Sequence, residues 1–368
     1  MAPCDRIYVL GIDLIERNLT FGHPKINMNQ EKKYFAGLDI GGSTVKAALV
    51  DENGLSTGAM AEVKSRVKEG FETTFGQLEE ALRLLAKEEG VDISAIRGAG
   101  MDVPAPNCDG VVWTRANLGD DWVGTNVRDK LSDRIGIPVY MTNDGNAAAI
   151  GEFSVRPDYD GSILLVAPGT GLGGGLVLPS GKIYEGANGL SLEVGHVSVP
   201  HREDDGSLPD CSCGLKGCVE AWVSLMALRR RVGLEIRKEQ WADHPLASDD
   251  ISIIDKAFQL RDYAEKDDEM AVSIFQQQGQ ILGYALGDLV RVFDPGLVVI
   301  GGGLADTGEN FRNRYMGWVQ EGFVERAWSV YRNSPIEPEK VTTSFEWASG
   351  GDFSAALGMG FVARDLFG

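Results

Sequence analysis

The chain of 368 residues carries 35 Lys plus Arg against 54 Asp plus Glu, and its formal net charge of −19 argues against nucleic acid or an anionic membrane surface as a partner. Hydrophobic residues at 43% and charged residues at 24% place it among folded globular proteins rather than disordered or membrane-embedded ones. At about 150 residues per domain, the length favours two domains.

Residues 1–33 mix Pro, Asn and charge without a sustained period and read as an irregular N-terminal extension. Its one apolar run, Ile7 to Ile15, contains Asp13 and lacks the flanks of an export signal, so a cytoplasmic location is expected. From Tyr34 the pattern sharpens. Phe35 to Ile40 and Val45 to Val50 read as two strands joined by the Gly41-Gly42-Ser43-Thr44 turn. A helix is expected over Thr74 to Lys87, with Leu78, Leu82 and Leu85 on one face. Strands follow at Arg97 to Val103 and Pro138 to Thr142, and then a short helix from Asn146.

The opening grammar then returns. Ile163 to Ala167, a Gly-rich turn from Pro168 to Gly174, and Gly175 to Leu178 form a second Gly-tipped hairpin, so the chain reads as a duplicated α/β unit. Helices are expected at Val219 to Arg231, Ala271 to Phe293 and Phe311 to Trp328, with a strand at Leu297 to Ile300 entering Gly301-Gly302-Gly303. These elements define a small α/β domain over 34–152, completed by a last helix within 353–368, and a larger α/β domain over 153–352.

Gly-rich turns lacking Cβ atoms can aim their amides at an anion, and Ser43, Thr44 and Thr170 add hydroxyl donors. Neither turn opens a helix, so neither is a P-loop nor a dinucleotide fingerprint. Each alone is equally an ordinary hairpin; the pair points to a nucleotide clamp. Asp39, directly before the first turn, is placed to hold Mg²⁺ beside a phosphate chain, or simply to cap the turn. Asp144 stands where a strand gives way to a helix and is either a general base for an attacking hydroxyl or an N-cap. Three of the five Cys fall within Cys211-Ser-Cys213-Gly-Leu-Lys-Gly-Cys218, and with His196 they make the Cys₃His set of a closed structural zinc site. His201 lies nearer in sequence and is the rival fourth ligand.

Taken in order, Asp39-Ile-Gly-Gly-Ser-Thr, Asn143-Asp144, Gly169-Thr-Gly-Leu-Gly-Gly-Gly, Glu193-Val-Gly-His196, the Cys knuckle running into Val219-Glu220, and Gly301-Gly-Gly-Leu resemble the bacterial ROK sugar kinases. The resemblance runs from about Tyr34 to the C-terminus and implies an actin-like, hexokinase-like ATPase fold in which two α/β domains flank a cleft. It implies ATP and Mg²⁺ held by Asp39, Gly41, Gly42, Ser43, Thr44, Lys46, Gly169, Thr170 and Gly171, with adenosine near Gly301, Gly302 and Gly303. Asp144 is implied as the base, and Asn117, Asn143, Glu193, His196 and Glu220 as hexose contacts, with His196 also ligating zinc. A homodimer or homotetramer is implied as well. Departures are Ser43 for the usual Thr, Ala105 for a usual Gly, Ser191-Leu192 before Glu193, and an acidic insertion at Glu203-Asp204-Asp205 that lengthens the spacing from His196 to Cys211.

The expected activity is ATP-dependent phosphorylation of a hexose 6-hydroxyl, glucose first, with N-acetylglucosamine or N-acetylmannosamine as alternatives. The competing class is a sugar-sensing regulator of the same family. Residues 1–33 are too few and too irregular for a helix-turn-helix module, and the net charge opposes DNA binding.

Overall fold

The computed structural model of the protein describes residues 32–116, 118–331 and 342–368, so all but the last two residues of the expected N-terminal extension lie outside them. In chain order the strands and helices are β1 (Tyr34–Ile40), β2 (Thr44–Asp51), β3 (Ser56–Lys64), α1 (Phe71–Glu89), β4 (Ile96–Val103), β5 (Asn107–Cys108), β6 (Val111–Val112), α2 (Val127–Ile135), β7 (Val139–Asn143) and α3 (Asp144–Ser154). They continue with β8 (Ile163–Pro168), β9 (Leu172–Val177), α4 (Glu220–Val223), α5 (Leu225–Glu235), α6 (Ile253–Glu265), α7 (Glu269–Phe293), β10 (Leu297–Ile300), α8 (Glu309–Arg326), β11 (Ser344–Trp347) and α9 (Ser354–Phe367).

The chain divides into two units. The first comprises the described residues up to Ala147, Glu185–Ser191 and Ala355–Gly368. Its sheet runs β3-β2-β1-β4-β7; β1 and β2 are antiparallel, whereas β1, β4 and β7 are parallel neighbours. Leu38, Val45, Met101 and Trp122 anchor its core, against which α1 lays Phe75, Leu78, Leu82 and Leu85 at helical spacing. Gly90, at a φ of 74°, ends α1 by donating its amide to the Ala86 and Lys87 carbonyls. Across β1 and β4 lies α9, and the approach is so close that a Cβ on Gly37 would meet the Ala356 carbonyl oxygen at 1.7 Å and one on Gly100 the Met359 oxygen at 2.3 Å.

The second unit comprises Ala148–Tyr184 and Leu192–Ser354. Its sheet runs β11-β10-β8-β9, again with an antiparallel hairpin, β8–β9, whose first strand pairs in parallel with a later one, β10. Its own core joins Val166, Trp222, Leu260, Phe275, Leu286 and Phe311. Buried Tyr315 donates to Gln278 Oε1 at 3.1 Å, and Gln278 Nε2 donates to the Val223 carbonyl at 2.8 Å, whereas the buried Trp222 Nε1 has no hydrogen-bond partner among the described residues.

Two sequence expectations need correction. The single helix over Val219 to Arg231 is two, because Ser224 turns extended and its Oγ accepts the Ala227 amide at 3.2 Å, ending α4 and capping α5. Gly173 and Gly174 belong to β9 rather than to the turn, since each is laddered to β8. Among the described residues, no helix is long and apolar enough to cross a membrane.

Candidate active site and metal centre

Adjacent parallel strands in the first unit deliver their C-terminal ends to one sheet edge, the place where open α/β sheets assemble ligand sites. Asp39 comes from β1, Asp102 from β4, and Asn143 and Asp144 from the junction of β7 and α3. Asn143 is the residue that caps α3: its Oδ1 accepts the Asn146 amide at 2.8 Å. That leaves Asp144 at the first helical position, where its Oδ1 accepts the nearby Gly145 amide at 2.9 Å. Asp144 is exposed to solvent yet ringed by protein atoms, and the resulting desolvation raises its pKa, the direction a general base requires.

Asp39 is half-buried opposite Lys46 in the β1–β2 ladder. Burial pushes its pKa up to about 6; Lys46 opposes the rise and the Asp144 charge adds to it. Gly41, Gly42, Ser43 and Thr44 follow in an open turn closed by the Gly41 amide donating to the Thr44 carbonyl at 2.9 Å, with Gly42 and Ser43 exposed.

Sequence reasoning missed two acidic residues of this unit. Asp102 is wholly buried, and the signal was a carboxylate ending the apolar run of β4 just before Val103-Pro104. Its Oδ1 accepts the Ile40 amide at 3.2 Å and its Oδ2 has no hydrogen-bond partner among the described residues; burial, then Asp39 and Asp144, hold its pKa well above the usual carboxylate range. Glu185 is the second. Thr142 Oγ1 donates to it at 2.9 Å and Asn146 Nδ2 donates to that same Thr142 oxygen at 3.0 Å, tying segment 185–191 to the strand–helix junction that carries Asn143 and Asp144. Asp39 opposite Lys46, and beside it Asp102 with an orphaned oxygen, are a donor set that fits a hard divalent cation.

In the second unit, Gly169, Thr170 and Gly171 form a tight turn, with the Gly169 amide donating to the Gly171 carbonyl at 2.8 Å and the Leu225 amide donating to the Gly169 carbonyl at 2.8 Å. Gly169 and Thr170 are exposed. Gly301, Gly302 and Gly303 leave the end of β10 alongside this turn, and a Cβ on Gly302 would lie 2.1 Å from the Pro168 carbonyl oxygen. Glu220, at the first position of α4, accepts the Leu172 amide on Oε2 at 2.9 Å and Ser212 Oγ on Oε1 at 2.7 Å, so one carboxylate joins the second Gly turn to the Cys knuckle. Glu193 follows Leu192, whose φ of 63° is a left-handed conformation rare for a branched side chain.

The ligand atoms of His196, Cys211, Cys213 and Cys218 all lie within 4.8 Å of one another. Cys213 and Cys218 sulfurs are 3.7 Å apart, and Cys211 Sγ is 3.5 Å from His196 Nδ1. A tetrahedral zinc with bonds of roughly 2.3 Å to sulfur and 2.0 Å to nitrogen has edges of about 3.5–3.8 Å, so this donor set fits zinc. His196 Nε2 turns the other way, 3.9 Å from Glu193 Oε2. Burial, helped by the neighbouring thiols, pushes Cys218 up to about 12, so metal binding there must displace a proton. His201 is not with this group: it packs edge-on against Trp222 and meets Gln277 at 3.2 Å. Asn117 lies outside the described residues.

Comparison with known proteins identifies relatives across most of the chain. The ROK family model matches residues 35–365. A glucokinase of Thermotoga maritima is 30% identical over 78% of this chain and 89% of its own length. An N-acetyl-D-glucosamine kinase of Yersinia pseudotuberculosis is 30% identical over 74% of this chain and 84% of its own. The crystal structure of a ROK family glucokinase from Streptomyces griseus, in complex with glucose and AMPPNP, superposes with a TM-score of 0.67 at 27% identity, covering 90% of this chain and 99% of that one.

Proposed function

The chain belongs to the ROK family, and from that premise we propose that it is a sugar kinase with the actin-like ATPase fold that transfers the γ-phosphoryl of ATP to the 6-hydroxyl of a hexose, glucose foremost. The observation that carries this reading is the pair Asn143–Asp144: an asparagine that takes over the helix cap and leaves the adjoining carboxylate, its pKa raised, free to accept a proton. Asp144 takes the proton from the 6-hydroxyl as its oxygen attacks the γ-phosphorus in line and the bond to the β-phosphate bridging oxygen breaks. Exposed amides of the Gly41 and Gly169 turns, with the Ser43, Thr44 and Thr170 hydroxyls, receive the phosphates; Lys46 adds positive charge near them and the Gly301–Gly303 turn receives adenosine. Asn117, Asn143, Glu193, His196 and Glu220 hold the sugar hydroxyls. When bound, Mg²⁺ supplies charge neutralisation for the transferring phosphoryl, and Asp39 is its carboxylate on β1. Zinc at His196 and the three thiolates is structural, since four protein ligands leave no open position.

The name of the Thermotoga maritima relative supports glucose, whereas that of the Yersinia pseudotuberculosis relative keeps the N-acetylated sugar in contention. Retention of Asp39 and Asp144 favours a kinase over a regulator. A coupled ADP-release assay with glucose, N-acetylglucosamine, N-acetylmannosamine and mannose tests the reading. Glucose should give the highest kcat/KM; a preference for an N-acetylated sugar reassigns the substrate, and no turnover with any sugar refutes the kinase.

A further inference from the structure

We infer that Asp102 is a cation-anchoring residue, whose buried Oδ2 joins Asp39 to form a divalent-cation site that fills without nucleotide, with Asp144 beside it outside the ligand set. The backbone explains how three carboxylates come together. β4 lies between β1 and β7 in one parallel run, with Asp102 beside Thr142 in the β4–β7 ladder and its Oδ1 fastened to the Ile40 amide, the residue after Asp39. Neighbouring strands stand about 4.8 Å apart, so the carboxylates ending β1 and β4 are within reach of a common ion.

The orphaned oxygen is the independent observation. Asp102 has 0% of its surface exposed, one oxygen satisfied and the other with no hydrogen-bond partner among the described residues. Charges are carried into protein interiors only when paired or bound to metal, and the groups acting on Asp102 are Asp39 and Asp144, both of like sign. Lys46 stands opposite Asp39 in the β1–β2 ladder and offsets part of the charge there. A proton on Asp102 would remove the repulsion, yet Oδ2 has no hydrogen-bond partner among the described residues; a cation satisfies both the charge and the empty oxygen. Most Mg²⁺ sites in phosphoryl transfer are completed by substrate phosphates because they offer only one or two carboxylates. The unmet buried oxygen of Asp102 lets this site fill without them.

The inference rests on the reading of Asp39 as the carboxylate on the cation, and it is tested without sugar or ATP so that the two can fail separately. Mn²⁺ is titrated into the full zinc-loaded chain in chelator-free buffer and free Mn²⁺ is read by electron paramagnetic resonance. The wild type should bind one Mn²⁺ per chain. Asp102→Asn, which keeps the shape and can still accept from Ile40, should weaken binding at least tenfold with an unchanged circular dichroism spectrum. In parallel, Mg²⁺ alone should raise the wild-type melting temperature, a measurement that stands even if the variant fails to fold. Wild type that takes up no Mn²⁺ and gains no stability from Mg²⁺, or Asp102→Asn that binds Mn²⁺ as the wild type does, overturns the inference. Intact Mn²⁺ binding with no sugar phosphorylated would defeat the kinase reading and leave this one standing.

Discussion

Replacing Gly302 by Ala should loosen the second Gly turn from behind. At a φ of 71° the residue occupies the left-handed region, and a Cβ there would sit 2.1 Å from the Pro168 carbonyl oxygen, where 3.4 Å is ordinary contact. Left-handed backbone costs an L-residue about 1–2 kcal/mol, and forcing a carbon into packed space costs about 1–3 kcal/mol more. The variant should therefore lose roughly 2–5 kcal/mol, which for a unit of this size lowers its melting temperature by about 4–20 °C. Pro168 cannot yield without carrying Gly169 along, so KM for ATP should rise. Gly169→Ala is the control, because a Cβ there meets nothing within 4 Å and its φ is not left-handed. It should melt with the wild type while still weakening ATP, by interposing a methyl group between the exposed turn and the phosphates. Calorimetry and initial rates at varied ATP read both effects. Gly302→Ala melting with the wild type would refute the packing argument, and Gly169→Ala with wild-type KM would refute the amide cradle.

Asp144→Asn should lower kcat by about 10²–10⁴ with little change in hexose KM, since the amide keeps the shape but cannot accept the proton; a wild-type kcat removes Asp144 as the base. Because its carboxyl pKa is raised, turnover should climb as pH rises through that pKa and then level, and a rate that falls over the same rise contradicts the assignment. For Asp39, pushed up from 3.8 to about 6, the folded state holds the proton more tightly than the unfolded one. In cation-free buffer the stability it lends is therefore complete below the unfolded pKa of 3.8 and lost as pH rises through about 6, and Asp39→Asn should flatten that part of a melting-temperature profile. Elemental analysis should find zinc at about one equivalent per chain, lost in His196→Ala and retained in His201→Ala; the reverse pattern would make His201 the fourth ligand.

What the sequence made legible was what repeats or alternates. The two Gly-tipped hairpins, the buried strand Leu297–Ile300 and helices such as α1 and α7 carry continuous apolar periods, and each stands within two or three residues of its expected ends. Elements with little to bury were silent. β3 exposes much of its length and contains Gly58, α2 buries only Val127 and Leu131, and β11 is an edge strand of four residues. Ser224 reads in sequence as one more helical residue; only the Ala227 amide on its hydroxyl reveals a boundary. Asp102 was missed for a related reason. A lone acid ending an apolar strand looks like the edge of the strand until β1 and β7 are set beside it, and strand order is not written in local pattern.

The return of α9 to the first sheet constrains the order in which the protein can fold during synthesis. β1 and β4 emerge from the ribosome early, but Gly37 and Gly100 leave a bare strip on them that only residues 354–367 fill. The whole second unit is translated in between. At about 5–20 residues per second, the first sheet waits tens of seconds with apolar backbone uncovered, whereas the second unit has its core complete by Ser354. The unit that begins the chain is thus the last to close, and chaperone demand should fall on the nascent N-terminal half.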